Sequence, residues 1–336
     1  MRRAVALGAV VVLLAGCGGQ TTTTGGGQAS GLKGETIDFV VPYEPGGGYD
    51  VYVRLLAPAV EKCTGATVVV RNEPGAGGLV ATSKTFAAKP DELRLQIVNT
   101  VGAASSQIAK DEGARYKLER FGWLGRVSTE PNVLVVASNS RFKSFDDLLK
   151  SKSPVRFVAT GPGSNEYINS SVLPKVYGFP SKVITGFAGS GEARAAVLAG
   201  KADAHILPLD SQLAAIESGD VRPLLVIGPK AGAPVADTPT TTDYPLKDTA
   251  QKPVIDALVA LVATGRGVVA PPGVEPGRLA TLRTALDCAL KDPGVKQAAA
   301  KQKRSIVPLS GPETARAVSE VLRSPEAFQR LVRAGA

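Results

Sequence analysis

Twice along this chain a β-branched run empties into a glycine-rich loop, and each time the arrangement recurs about one strand-and-helix unit later. Ile37–Tyr43 leads into Gly46-Gly47-Gly48-Tyr49-Asp50, and Thr67–Arg71 into Gly75-Ala76-Gly77-Gly78. Val155–Ala159 leads into Gly161-Pro162-Gly163-Ser164, and Val183–Gly186 into Gly189-Ser190-Gly191-Glu192. The spacings match: 29 residues from Gly46 to Gly75, and 28 from Gly161 to Gly189. A helical pattern follows each loop. Strand, glycine loop and helix in that order is how an α/β fold presents free backbone N–H groups to an anion at a helix N-terminus. The arrangement in both halves predicts two lobes facing a shared cleft.

Length agrees: 336 residues suit two α/β lobes better than one. The only sustained apolar segment is at the start. Met1-Arg2-Arg3 is basic, and Ala4–Leu14 is an apolar stretch of 11 residues, too short to span a bilayer. Leu14-Ala15-Gly16-Cys17 follows, small residues before a cysteine, as in a bacterial lipoprotein cleavage box. Residues 1–17 are therefore expected to be a lipoprotein signal peptide, with Cys17 lipidated. Residues 18–34, GGQTTTTGGGQASGLKG, hold one charge and no apolar period. They read as a flexible tether averaging roughly 20–25 Å end to end. The expected location is extracytoplasmic, lipid-anchored to the cell membrane.

Removing Arg2 and Arg3 with the signal takes the formal charge from +9 to +7. A modest positive excess favours anionic ligands or lipid headgroups. Nucleic acid is disfavoured, because aromatics are only 5% and no basic run alternates with them. With Cys17 assigned to lipid, Cys63 and Cys288 remain, in a compartment where disulfides persist. A bond between them is expected. No Cys/His spacing suggests a metal, and the chain has a single His.

The pattern predicts strands over Glu35–Tyr43, Ala66–Arg71, Leu93–Val98, Gly122–Arg126 and Asn132–Ala137, then Val155–Ala159, Val183–Gly186, Ala204–Leu207 and Val221–Ile227. Helices are expected at Asp50–Lys62, with Asp50 as N-cap and Pro58 kinking or shortening it, and near Gly78–Ala88. Further helices fall after Ser144 and near Glu166–Tyr177, Glu192–Ala199 and Ser211–Ser218. Ala231–Lys252 reads as a loop and Val254–Val269 as an apolar run. Pro276–Leu290 and Glu313–Arg333 read as helices. The chain is expected to cross between lobes near Asn132–Ser138 and Leu261–Gly267. That places residues 35–133 and 265–336 in a discontinuous first lobe and 134–264 in the second.

No loop completes a dinucleotide or phosphate-loop pattern. Tight strand-to-helix turns would explain each loop singly. Four at matched spacing, with Ser164, Asn165 and Ser190 as neutral donors, point to carboxylate cradles. A carboxylate met by several neutral N–H groups gains charge-assisted bonds without a buried arginine. The enzyme case is thin. Ser190 is not in a G-x-S-x-G turn, and no nucleophile accompanies Asp203 and Asp210. His205 lies in an apparent strand and reads as a satisfied structural residue. No catalytic residue and no cofactor is expected.

Val41-Pro42-Tyr43-Glu44-Pro45-Gly46-Gly47-Gly48-Tyr49-Asp50 with Arg54, followed by Val70-Arg71-Asn72-Glu73-Pro74-Gly75-Ala76-Gly77-Gly78, resembles the periplasmic binding proteins of tripartite tricarboxylate transporters, the Bug/TctC family. Gly161-x-Gly163-Ser164, Gly189-Ser190-Gly191-Glu192-Ala193, Leu198–Ala204, Gly219–Leu224 and Ala270–Pro276 follow in the family's order. The resemblance spans about Glu35 to the C-terminus. It implies a two-lobed type II periplasmic-binding-protein fold, with a ligand cleft between the lobes and the C-terminal segment returning to the first. It implies that Gly46, Gly47, Gly48 and Tyr49, with Gly75, Ala76, Gly77 and Gly78, clamp one carboxylate through backbone N–H groups and ordered water. Gly161, Gly163, Ser164 and Asn165, with Gly189, Ser190 and Gly191, would touch the rest of the ligand. Tyr167 and Leu207 stand where many members have His and a polar residue, so the implied class is a small di- or tricarboxylate-like acid without a name. The implied partner is a tripartite-type membrane permease, served by a monomer. A carboxylate sensor feeding a signalling partner is the second reading, and a hydrolase or transferase the third. A Cβ at Gly47 or Gly77, the loop centres, is expected to forbid the needed dihedral or displace the anion.

Overall fold

The computed structural model describes Met1, residues 30–129 and residues 131–334. Cys17, the expected signal peptide and most of the expected tether lie outside the described residues. Among those described, no helix is long and apolar enough to cross a membrane.

The chain begins with β1 (Thr36–Val41), whose inner residues Phe39 to Val41 are fully buried, as a parallel strand covered on both faces should be. α1 (Gly48–Thr64) follows and ends on Gly65 in the left-handed region, φ 72°. Two expectations change here. α1 starts at Gly48 with Gly47 as N-cap, so Asp50 is its third residue rather than its cap. Pro58 does not shorten the helix, which continues to Thr64 because Tyr52, Val53, Leu56 and Val60 hold its buried face on both sides of the proline.

β2 (Thr67–Asn72), α2 (Leu79–Ala87) and β3 (Arg94–Asn99) come next. α3 (Thr100–Ala109) has no counterpart in the sequence reading, since TVGAASSQIA is small and polar with no amphipathic stripe. It is buried on nearly every side, and Asn99 caps it by accepting from the Gly102 N–H at 3.2 Å. β4 (Gly122–Ser128) leads into β5 (Asn132–Ala137), and α4 (Phe145–Leu149) opens on a Ser144/Asp147 capping box. Then come β6 (Val155–Val158), α5 (Asn165–Tyr177), β7 (Ser181–Ile184), α6 (Ser190–Leu198), β8 (Ala204–Pro208), α7 (Leu209–Glu217) and β9 (Val221–Ile227). The return path is α8 (Lys252–Ala263), β10 (Arg266–Ala270), α9 (Pro276–Lys291), α10 (Pro293–Lys301), β11 (Leu309–Ser310), α11 (Gly311–Leu322) and α12 (Glu326–Arg333). The single helix expected over Glu313–Arg333 breaks before Pro325, which caps α12, and α10 is a separate helix after Asp292.

The strands form two mixed sheets. One runs β11-β4-β10-β3-β1-β2, and the other β7-β6-β8-β5-β9. β10, from the far end of the chain, pairs antiparallel with both β3 and β4 and so closes the first sheet. In the second sheet β5 pairs antiparallel with β8 and β9. The chain changes sheet between β4 and β5 and again between β9 and β10. The apolar interior bridges the two lobes: one cluster joins Val98, Val101 and Trp123 through Leu258 and Leu261 to Phe157, Val172 and Leu225.

Cys63 on α1 and Cys288 on α9 form a disulfide across 225 residues of sequence. Closing so long a loop removes denatured-state entropy equivalent to about 5 kcal/mol in the chain-entropy model. Reduction should therefore lower the midpoint of thermal unfolding markedly. Intact-mass analysis after alkylation without reductant should find neither thiol labelled, and two labelled thiols would refute the bond.

Candidate functional site

A cavity of about 300 Å³ lies between the sheets. The loops that wall it are the starts of helices. Gly46–Tyr49 opens α1, Asn99 caps α3, Asn165 and Glu166 open α5, Gly189–Gly191 opens α6, and Pro208 caps α7. Five helix N-termini from two lobes thus converge on one space. Each carries unpaired N–H groups and the positive end of a helix dipole. The caps at Gly47, Gly189 and Pro208 supply no side-chain bond, although the first amide of α7, Leu209 N–H, donates to the Pro131 carbonyl at 2.9 Å. Such a cavity is built to hold an anion.

The four glycine loops divide into three placements. Gly46, Gly47, Gly48, Tyr49, Asn165, Gly189, Ser190 and Gly191 line the cavity. Gly75, Ala76 and Gly77 line an adjoining recess that shares Tyr43, Glu44, Thr160 and Ala188 with it. Gly161, Gly163 and Ser164 line neither and pack on the Ala76–Gly77 turn instead. Gly163 N–H donates to the Ala76 carbonyl at 3.3 Å, and Asn99 Nδ2 donates to the Gly163 carbonyl at 3.3 Å. Ser164 is fully buried, donates to the Gly161 carbonyl at 2.7 Å and accepts from Tyr167 N–H at 3.2 Å, which makes it the cap of α5. This is a glycine-on-glycine seam between lobes. A Cβ on Gly77 would stand 2.8 Å from Gly161 O, and one on Gly102 1.9 Å from Gly163 O.

Several amides named from sequence already have acceptors. Gly46 N–H donates to Asp50 Oδ2 at 2.9 Å, Gly78 N–H to Gly75 O at 2.9 Å, and Ser164 N–H to Gly161 O at 3.1 Å. Asp50 is thus the clamp of its loop. Burial opposes its ionisation, but bonds from Arg54, Gly46 and Asn72 hold its carboxyl below the usual range. Gly47 also differs from expectation. Its φ of −76° is open to any residue, and the nearest atoms to an added Cβ are 3.8 Å away.

The sequence reading missed the charges behind the cavity wall. Arg266 on β10 is 2% exposed and bonds Asp210 on α7 at 2.8 Å, while Arg304 reaches the same carboxylate at 3.1 Å. Tyr49 and Tyr52 lie 5.2 and 4.8 Å below the Arg266 guanidinium. Burial pushes Arg266 down, and Asp210 with the two tyrosines more than reverses this. Burial raises Asp210, and the two arginines bring it below the ordinary carboxylate range. The cluster ties α7 of one lobe to β10 of the other, beside the second crossing, with Lys303–Glu217 at 2.7 Å outside it. The signal in the sequence was one arginine inside the apolar run Val254–Val269. His205 is buried on β8 as expected but is not satisfied. Neither ring nitrogen has a hydrogen-bond partner within the protein, and Nε2 stands 3.6 Å from Glu166 Oε1.

The model of the tripartite tricarboxylate transporter family receptor matches residues 52–329. A curated relative, protein BugT of Bordetella pertussis, is 26% identical over 271 residues, 79% of each chain. Two solved structures share the fold. MatC from Rhodopseudomonas palustris with bound malate has a TM-score of 0.72 at 21% identity, covering 89% of this chain and 99% of its own. R. palustris Rpa4515 with adipate has a TM-score of 0.74 at 19% identity, covering 89% and 97%.

Proposed function

The chain belongs to the tripartite tricarboxylate transporter receptor family, and from that membership we propose that it captures a small organic acid between its lobes and delivers it to a tripartite-type permease, held to the membrane by a lipid on Cys17. The family and its solved relatives are periplasmic solute-binding proteins, not enzymes, which implies an extracytoplasmic location. The observation that carries the ligand class is the convergence of five helix N-termini on one cavity, three of them without a side-chain cap. Malate and adipate in the cited relatives support the same chemistry. Gly47, Gly48 and Tyr49 line the same cavity as Ser190 and Gly191, and closing the lobes would bring the amides of both sets onto one carboxylate. The Arg194 guanidinium adds a cation in the cavity wall, its pKa lowered from its usual value by burial, and it donates to the Ser211 carbonyl at 3.4 Å.

Mass spectrometry of what co-purifies with the folded protein tests the reading. A carboxylic acid is expected, and its release on unfolding should be stoichiometric. Anchoring is tested separately. Cys17→Ser should move the protein from the membrane to the soluble extracytoplasmic fraction, and unchanged membrane association would refute the lipid anchor.

A further inference from the structure

We propose that the acid this cleft takes carries a protonated nitrogen beside its carboxylate, received by Glu166, so that the ligand is an amino acid or amino diacid rather than a plain organic diacid. The inference rests on the reading of the cleft as a carboxylate site. Glu166 is the second residue of α5 and lines the cavity with a side chain only 4% exposed. Among the described residues no lysine or arginine lies within 4 Å of it. Its one charged-pair contact is His205 Nε2 at 3.6 Å, beyond the 2.7–2.9 Å of a charge-assisted hydrogen bond. The N-terminus of α5 favours a negative charge there, but a dipole effect is small against the cost of desolvating a carboxylate. A cationic donor arriving with the ligand would supply the missing partner.

The surrounding charges agree. Glu44, Glu166 and Glu192 line the cavity against one guanidinium, Arg194. The Arg266 guanidinium behind the wall is committed to Asp210. A plain dianion would add two negative charges to that set. Thr160 Oγ1 and Asn165 Oδ1, on the same side as Glu166, also lack hydrogen-bond partners within the protein. The start of α5 therefore brings side-chain acceptors into the same cavity as the backbone donors of α1 and α6. Burial raises the phenols of Tyr43 and Tyr49, and the Glu166 charge adds to both.

The test is calorimetric titration of the full chain with succinate, malate and aspartate, which differ only in bearing hydrogen, hydroxyl or ammonium at one carbon, and with glutarate and glutamate. Aspartate or glutamate should bind at least tenfold more tightly than the matching plain diacid, with malate between succinate and aspartate. Glu166→Gln, which keeps the shape and removes the charge, should bring the amino acid within threefold of the plain diacid and leave the diacid no weaker. Succinate or malate equalling aspartate in the unmodified protein, or a preference that survives Glu166→Gln, would overturn the inference and leave the carboxylate reading standing. No binding of any of the five acids would overturn both.

Discussion

Gly102→Ala is expected to weaken acid binding by at least tenfold while both lobes stay folded. The added methyl would stand 1.9 Å from the Gly163 carbonyl oxygen and 2.8 Å from the Ser164 nitrogen, all backbone of the opposite lobe. Backbone cannot swing aside as a flexible side chain can, so the lobes must separate. Overpacking of this kind costs about 1–3 kcal/mol, and each 1.4 kcal/mol is tenfold in affinity if closure completes the site. Gly77→Ala should act in the same direction. Its φ of +68° is strained for any side chain, and its Cβ would meet Gly161 O and Ser164 N at 2.8 Å. Gly232 is the control, since it lies outside the cavity and a Cβ there meets nothing within 4 Å. Titration after circular dichroism confirms folding decides the matter. Affinity within threefold of the unmodified protein for Gly102→Ala would show that binding does not depend on the seam.

Asp210→Ala should cost about 3–5 kcal/mol of stability, because it leaves Arg266 and Arg304 buried together without their shared carboxylate. Thermal unfolding would then start well below that of the unmodified protein, and a shift under 2 °C would contradict the role assigned to the cluster. The pH dependence has a definite sign. The folded-state pKa of Asp210 lies below its unfolded value of about 3.9, so its contribution is fully present above that value and is lost as pH falls through the folded one. The stability difference between the unmodified protein and Asp210→Asn should therefore shrink on acidification below about pH 4.

The parts of the fold that were legible in the sequence were those where periodicity and glycine turns agree. β-branched runs such as Ile37–Val41 bury as strands, and the helices after Gly47 and Gly189 start where glycine leaves their amides uncapped. α3 was not legible, because a buried helix made of small residues carries no amphipathic stripe, and its identity comes from the tertiary packing around it. The glycine loops were legible as a set, but their division of labour was not. Gly161 and Gly163 have the same sequence signature as Gly46 and Gly48, and only the approach of the two lobes shows that one pair receives backbone while the other faces the cavity. Likewise nothing in the local sequence links Asp210, Arg266 and Arg304. They meet because β10 returns to the first sheet after the second lobe is complete.

The central claim is that backbone amides at converging helix N-termini hold the ligand's carboxylate. A crystal structure of the protein with its co-purified acid tests it most directly. The account predicts a carboxylate in the cavity with its oxygens within about 2.7–3.2 Å of at least two amides among Gly47, Gly48, Tyr49, Ser190 and Gly191, or joined to them by one water. A carboxylate bound outside this cavity, or held only by side chains with those amides unengaged, would contradict it.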